Sequence, residues 1–165
     1  MPQLTWVAEL AAIACFLATA VTISAIDLRH YRIPDRILLP GASATLALLT
    51  VAALSEGQLV GAWQRSLATA AVCLAAFLLL HLGSPTQLGF GDVKLAGLIG
   101  LVTGWFGPGL AALAIGTAFL GAGLAVVVLI TRRLARLDTH IAFGPWLVLG
   151  TLAAIAPYVA AMTMR

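Results

Sequence analysis

Charge is what this chain has least of. Only 9% of its 165 residues are Asp, Glu, Lys or Arg, against 62% that are apolar, whereas a soluble domain carries about a quarter charged residues. With a mean hydropathy of +1.07, it cannot cover a water-facing surface and belongs in a lipid bilayer. The net charge of +3 is too small and too scattered for nucleic-acid binding, and suits basic loops between membrane spans. Cysteine is scarce too. Cys15 and Cys73 both fall inside apolar segments and no Cys-x-x-Cys occurs, which argues against a zinc ribbon, a redox motif and a disulfide scaffold. Two small, inert core residues are the simpler reading. His30, His81 and His140 lack the spacing of metal ligands, so neither a metal nor another cofactor is expected. A basic region ahead of the first apolar stretch is also missing, and that stretch runs too long for a signal peptide, so it is read as a retained span. Alternating apolar and polar residues, the mark of barrel strands, do not occur, which leaves helices as the spanning element.

Long apolar runs are what the chain has instead. A span needs about 20 mostly apolar residues, and the runs place helices at about Leu4–Ile26, Ile37–Leu54, Gly61–Leu82, Asp92–Trp105, Gly109–Ile130 and Phe143–Met162. The fourth is short for a span and ends where Gly107 and Pro108 break it. The expectation is an all-α polytopic membrane protein, a bundle of about six transmembrane helices forming one domain over residues 1–165, with no soluble domain and no internal repeat. Basic residues gather in the odd-numbered loops: Arg29, Arg32 and Arg36 in the first, Lys94 at the edge of the third, and Arg132, Arg133 and Arg136 in the fifth. The even-numbered loops have only Arg65, offset by Glu56. Odd loops should therefore face the cytoplasm, with both termini outside.

Position sorts the six acidic residues. Glu9 lies near the outer end of the first span, within reach of headgroups, Glu56 in an outer loop and Asp138 in a basic loop, all places where a solvated or paired carboxylate is ordinary. Asp27 closes the first span, Asp35 follows in the adjoining loop and Asp92 opens the fourth span, all three at the cytoplasmic end. Ionisable groups in membrane segments are costly and usually mark a function. The topology brings Asp27 and Asp92, distant in sequence, to the same depth on the same side. Two carboxylates a few ångström apart cannot both ionise comfortably and share a proton. The ionised one can take a proton from water while the protonated one polarises a carbonyl and protonates a leaving amine. Such a pair titrates as a unit, so acid and base are not assigned individually. Asp35 follows Ile33-Pro34 and is read as a cap of the second helix. Gly89 and Gly91 flank Phe90 just before Asp92. They let a substrate backbone approach the carboxylate and permit turn conformations barred to other residues; the plainer alternative is a glycine turn capping the fourth helix. Lys94, two residues from Asp92, does not share its helical face. It snorkels to headgroups, or binds substrate or biases the aspartate pair. Ser24 and Thr22 have no base partner in view, which disfavours a serine mechanism.

Three stretches together resemble one family. "GFGDVKL" (89–95) looks like the Gly-x-Gly-Asp signature of the type IV prepilin peptidases, membrane aspartyl proteases similar in that motif to presenilin and signal peptide peptidase. "IDLRHYRIPDRILLP" (26–40) resembles the family's first catalytic stretch, an aspartate followed by Ile-Pro and then Asn or Asp. "IAFGPWLVLG" (141–150) resembles the segment that opens the last helix, with Ala142 where the family usually has proline. The resemblance implies that Asp27 and Asp92 are catalytic, with Asp35 the rival of Asp27, and that Gly89, Gly91, Lys94, Gly144 and Pro145 lie near substrate or shape the site. It implies an aspartic endopeptidase that removes the short basic leader of prepilins or pseudopilins at the cytoplasmic face of the cell membrane. The cytoplasmic loop with two Cys-x-x-Cys pairs found in longer members is absent, so methyltransferase activity is not expected and the chain is similar to the short peptidases of tight-adherence (Flp-type) pilus systems. A small ion-coupled transporter and a pilus-assembly scaffold subunit are the alternatives.

Overall fold

The computed structural model describes residues 2–55, 59–84, 88–133 and 142–163, with residues 2, 3, 162 and 163 described for the backbone alone. Six helices follow one another: α1 (Pro2–His30), α2 (Asp35–Ser55), α3 (Val60–Gly83), α4 (Phe90–Phe106), α5 (Pro108–Thr131) and α6 (Gly144–Thr163). No strand occurs among the described residues. This is the all-helical bundle expected from the apolar runs. Five of the helices are long and apolar enough to cross a membrane. Their outward positions carry large apolar side chains, including Val21, Leu54, Val72, Leu79, Leu120 and Leu124. In water such a surface would aggregate; against lipid tails it is at rest.

The short helix is the central one. α4 has 17 residues, about 25 Å at 1.5 Å per residue, a little less than the hydrocarbon core of about 30 Å. Every residue from Leu95 to Trp105 is buried. Gly107, followed by Pro108 at the first position of α5, stops it. The packing of α4 on α3 is set by small residues. A Cβ added at Gly100 would come within 2.8 Å of both the Ala70 Cα and the Thr69 carbonyl oxygen, and one at Gly104 within 2.9 Å of the Ser66 Cα. Apolar lipid leaves no hydrophobic drive between helices, so close backbone approach and interhelical hydrogen bonds do the joining. Ser66 supplies one such bond, donating its hydroxyl to the Leu101 carbonyl. The Gly97–Gly100–Gly104 spacing is the signal of this seam legible in the sequence.

The helices associate chiefly as consecutive pairs, α1 with α2, α3 with α4 and α5 with α6. The linker 31–34, the end of α3, the start of α4, the end of α5 and the start of α6 all lie at one end of the bundle. α1 runs one turn further than its apolar run suggests, through Asp27, Leu28, Arg29 and His30. Cationic side chains in a last turn favour helix continuation by complementing the carbonyl end of the dipole. Asp27 therefore sits inside the helix, one turn from its end, and does not close it. Tyr31 ends α1 in a left-handed conformation (φ 52°), with its N–H on the Asp27 carbonyl at 2.9 Å.

Glu9 has a partner within the bundle: its Oε1 accepts the Trp105 indole N–H at 3.0 Å, tying α1 to the last turn of α4. Beside it, Arg65 Nη2 donates to the Trp105 carbonyl at 3.2 Å, satisfying one of the carbonyls a helix end leaves unpaired. Two short-range polar contacts thus fasten the end of α4 remote from Asp92. Glu56 and Asp138 lie outside the described residues.

Candidate active site

Asp27, on α1, is buried, 6% exposed. Its Oδ2 accepts the backbone N–H of Gly144 at 3.1 Å. Gly144 is the first residue of α6, after Phe143, whose carbonyl accepts from Trp146 and Leu147. The first N–H groups of a helix have no partner within it and carry the positive end of the dipole, so an anion is at home there. Pro145 occupies a first-turn position, where its missing N–H costs nothing. A Cβ at residue 144 would meet Asp27 Oδ2 at 2.8 Å. Close approach requires the glycine here.

Asp92 sits in the first turn of α4. Its Oδ2 accepts the Gly89 N–H at 3.2 Å while its own N–H donates to the Gly89 carbonyl at 3.0 Å, a reciprocal closure of the helix start. Its Oδ1 is buried and has no hydrogen-bond partner. Such an acceptor is costly unless another group comes to meet it.

Asp27 and Asp92 line one cavity of about 230 Å³, together with Tyr31, Arg32, Ile33, Gly89, Phe90 and Gly91. Each carboxyl takes its hydrogen bond from a different backbone amide. Tyr31 and Phe90, 61% and 50% exposed, form the rim. Neither of them, nor Arg32 or Ile33, stood out as a site residue from sequence. Their signal was present in their position: Tyr31–Ile33 lie in the link between the helix of Asp27 and that of Asp35, and Phe90 lies between the two glycines.

The glycines act through packing rather than through backbone freedom. No described glycine adopts the left-handed conformation, and Gly89 is plainly extended at φ −69°, ψ 145°. A Cβ at Gly91 would fall 2.6 Å from the Ile33 Cβ, so its absence lets the α1–α2 linker lie against the start of α4. A Cβ at Gly89 would meet Asp92 Oδ2 at 3.3 Å.

Asp35 and Lys94 do not line this cavity. Asp35 is the first residue of α2, where Ile37 and Leu38 donate to the Pro34 carbonyl. Its carboxylate is taken by Lys94 rather than by the helix start, with Nζ 2.7 Å from each oxygen. The same ammonium lies over the Phe90 ring, 5.0 Å from its centre. Lys94 thus has an ion-pair partner, Asp35, that the sequence did not name for it. His81 Nδ1 lies 2.7 Å from the Leu88 carbonyl oxygen, tethering the segment that leads into Gly89. His140 lies outside the described residues.

A family model described as the type IV leader peptidase family matches residues 12–131. The chain belongs to that family. The matched stretch contains Asp27, Asp35, Gly89, Gly91, Asp92 and Lys94, and ends before Gly144 and Pro145. No curated protein and no solved structure matches the chain. Membership in a peptidase family makes this a protease-type membrane protein of several apolar helices, with Asp27 and Asp92 facing one cavity at one end of the bundle.

Proposed function

We propose that this leader peptidase relative is an aspartic endopeptidase whose acid–base pair is Asp27 and Asp92. One observation carries the reading: two carboxyl groups from separate helix pairs line the same cavity. Asp92 Oδ1, buried and unpartnered, is the acceptor a water or a scissile amide would satisfy. In the working cycle the pair shares one proton. The ionised carboxylate takes a proton from water as its oxygen attacks the peptide carbonyl, and the other carboxyl hydrogen-bonds the developing oxyanion. The leaving amine then receives a proton from the pair, and no covalent intermediate forms. The Gly144 N–H fixes Asp27 throughout. Positioning accounts for much of the rate, because a water and an amide held between two oriented carboxyls meet without further loss of freedom.

Charge and family support a reading of substrate and sidedness. Arg29, Arg32, Arg36, Lys94, Arg132 and Arg133 all stand at the cavity end, an excess of basic residues that supports a cytoplasmic position for it. The substrate is then a prepilin or pseudopilin, of the type IV or Flp type, cut beside its short basic leader at the cytoplasmic face of the cell membrane, with both termini of the peptidase outside. Methylation of the new N-terminus is not part of the activity. The deciding experiment reconstitutes purified protein in detergent with a candidate prepilin and follows leader removal by mass. Cleavage should occur, persist in excess chelator and disappear when both aspartates are changed to asparagine. Cleavage that survives the double change would end the aspartic reading, and failure of every prepilin tested would end the assignment of substrate.

A further inference from the structure

The groups that orient Asp27 and Asp92 do not join their helices to one another. Asp27 leans on the start of α6 and Asp92 on its own Gly89. α1 packs chiefly on α2 and α4 chiefly on α3, and α1 meets α4 only sparsely. α6 packs on both α1 and α4; beside that indirect tie, a direct contact close to the site fixes the separation of the carboxyls more tightly.

The Lys94–Asp35 ion pair crosses that gap. Lys94 stands one helical step beyond the Asp92 turn, and Asp35 directly follows the linker whose Tyr31, Arg32 and Ile33 wall the cavity. Both carboxylate oxygens are engaged at 2.7 Å, and the Phe90 ring holds the ammonium from another side. Ile33 fitted against Gly91 makes a second contact between the same two segments. The ion pair is partly open to solvent, with side-chain exposures of 26% for Lys94 and 54% for Asp35, and pairs of that kind add little to stability. A contact held at both oxygens still restricts how the two segments can move.

We propose that Lys94 and Asp35 are a positioning pair whose salt bridge clasps the α1–α2 linker to the start of α4 and so sets the separation of Asp27 from Asp92. The proposal rests on the reading of those aspartates as the acid–base pair. Neither Lys94 nor Asp35 touches the reacting atoms. Their loss therefore lowers kcat and leaves KM nearly alone.

Two measurements test this. In the first, Lys94→Met and Asp35→Ala each lower kcat by about 10- to 100-fold, the range expected for a small misplacement of reacting groups. Lys94→Arg, which can still pair with both oxygens, keeps most of the rate. The double variant Asp35→Ala/Lys94→Met is no slower than either single one, because one interaction cannot be lost twice. In the second, spin labels at Leu39→Cys on α2 and Leu82→Cys on α3, with Cys15 and Cys73 changed to alanine, report the distance between the two helix pairs. The distribution is narrow in the otherwise native chain and broadens in Lys94→Met and in Asp35→Ala. Multiplying losses in the double variant, or distance distributions unchanged in both single variants, overturn the proposal. The distance measurement decides it even if no prepilin is cut, so a failed substrate assignment and a failed clasp are told apart.

Discussion

Gly144 donates its backbone N–H to Asp27 Oδ2 at 3.1 Å across 117 positions of sequence. The start of the last helix thereby orients a carboxyl on the first one, with no space between them for a methyl group. A site built this way should tolerate little change at either partner.

The carboxyls themselves come first. Asp27→Asn and Asp92→Asn should each reduce leader cleavage by about 10³-fold or more, since general acid–base steps contribute about 10² to 10⁴ and neither amide can carry the shared proton. Membrane insertion and thermal stability in detergent should stay near those of the native chain. A single asparagine variant with native kcat would remove that residue from the mechanism.

Gly144→Ala should lower kcat by at least about 10-fold while the protein still inserts. The added Cβ, 2.8 Å from Asp27 Oδ2, has to displace the carboxyl or the helix start. Gly89→Ala should be milder, because its Cβ lies 3.3 Å from Asp92 Oδ2 and a few tenths of an ångström suffice. Steady-state kinetics on the two variants side by side would show the order, and a reversed order would count against the geometry.

At the α3–α4 seam the expected loss is in stability. Gly100→Ala puts a methyl group 2.8 Å from the Ala70 Cα and the Thr69 carbonyl oxygen, backbone atoms that cannot swing aside. Overpacking of this sort costs about 1–3 kcal/mol. Thermal unfolding in detergent should fall accordingly, whereas Gly116→Ala, with nothing near its Cβ, should unfold like the native chain.

Glu9 lies at the far end of the bundle, and its role there separates from catalysis. Glu9→Gln keeps an oxygen for the Trp105 indole and should match the native chain in stability. Glu9→Ala should lose about 1.5–3 kcal/mol, the usual worth of a hydrogen bond to a charged group, with kcat unchanged. An effect of Glu9→Gln on kcat would tie the far end to the chemistry after all.

Composition and apolar run length were enough to determine the six helices, because lipid allows a chain of this composition no other way to pair its backbone. The same reasoning isolated Asp27, Asp35 and Asp92, since a carboxylate in a chain that avoids charge has few neutral explanations. Pairings across the bundle stayed out of reach. Nothing local says that Lys94 goes to Asp35, that Glu9 goes to Trp105, or that Ile33 fills the space Gly91 leaves. Each depends on which helix faces which, and apolar helices alike on every side give no preferred face to read. The small residues of α4 decide that question by letting backbones touch, and only the folded bundle shows which ones do. Tertiary structure alone brought the N–H of Gly144 to Asp27, because an unpaired amide at a helix start takes whatever acceptor the packing delivers.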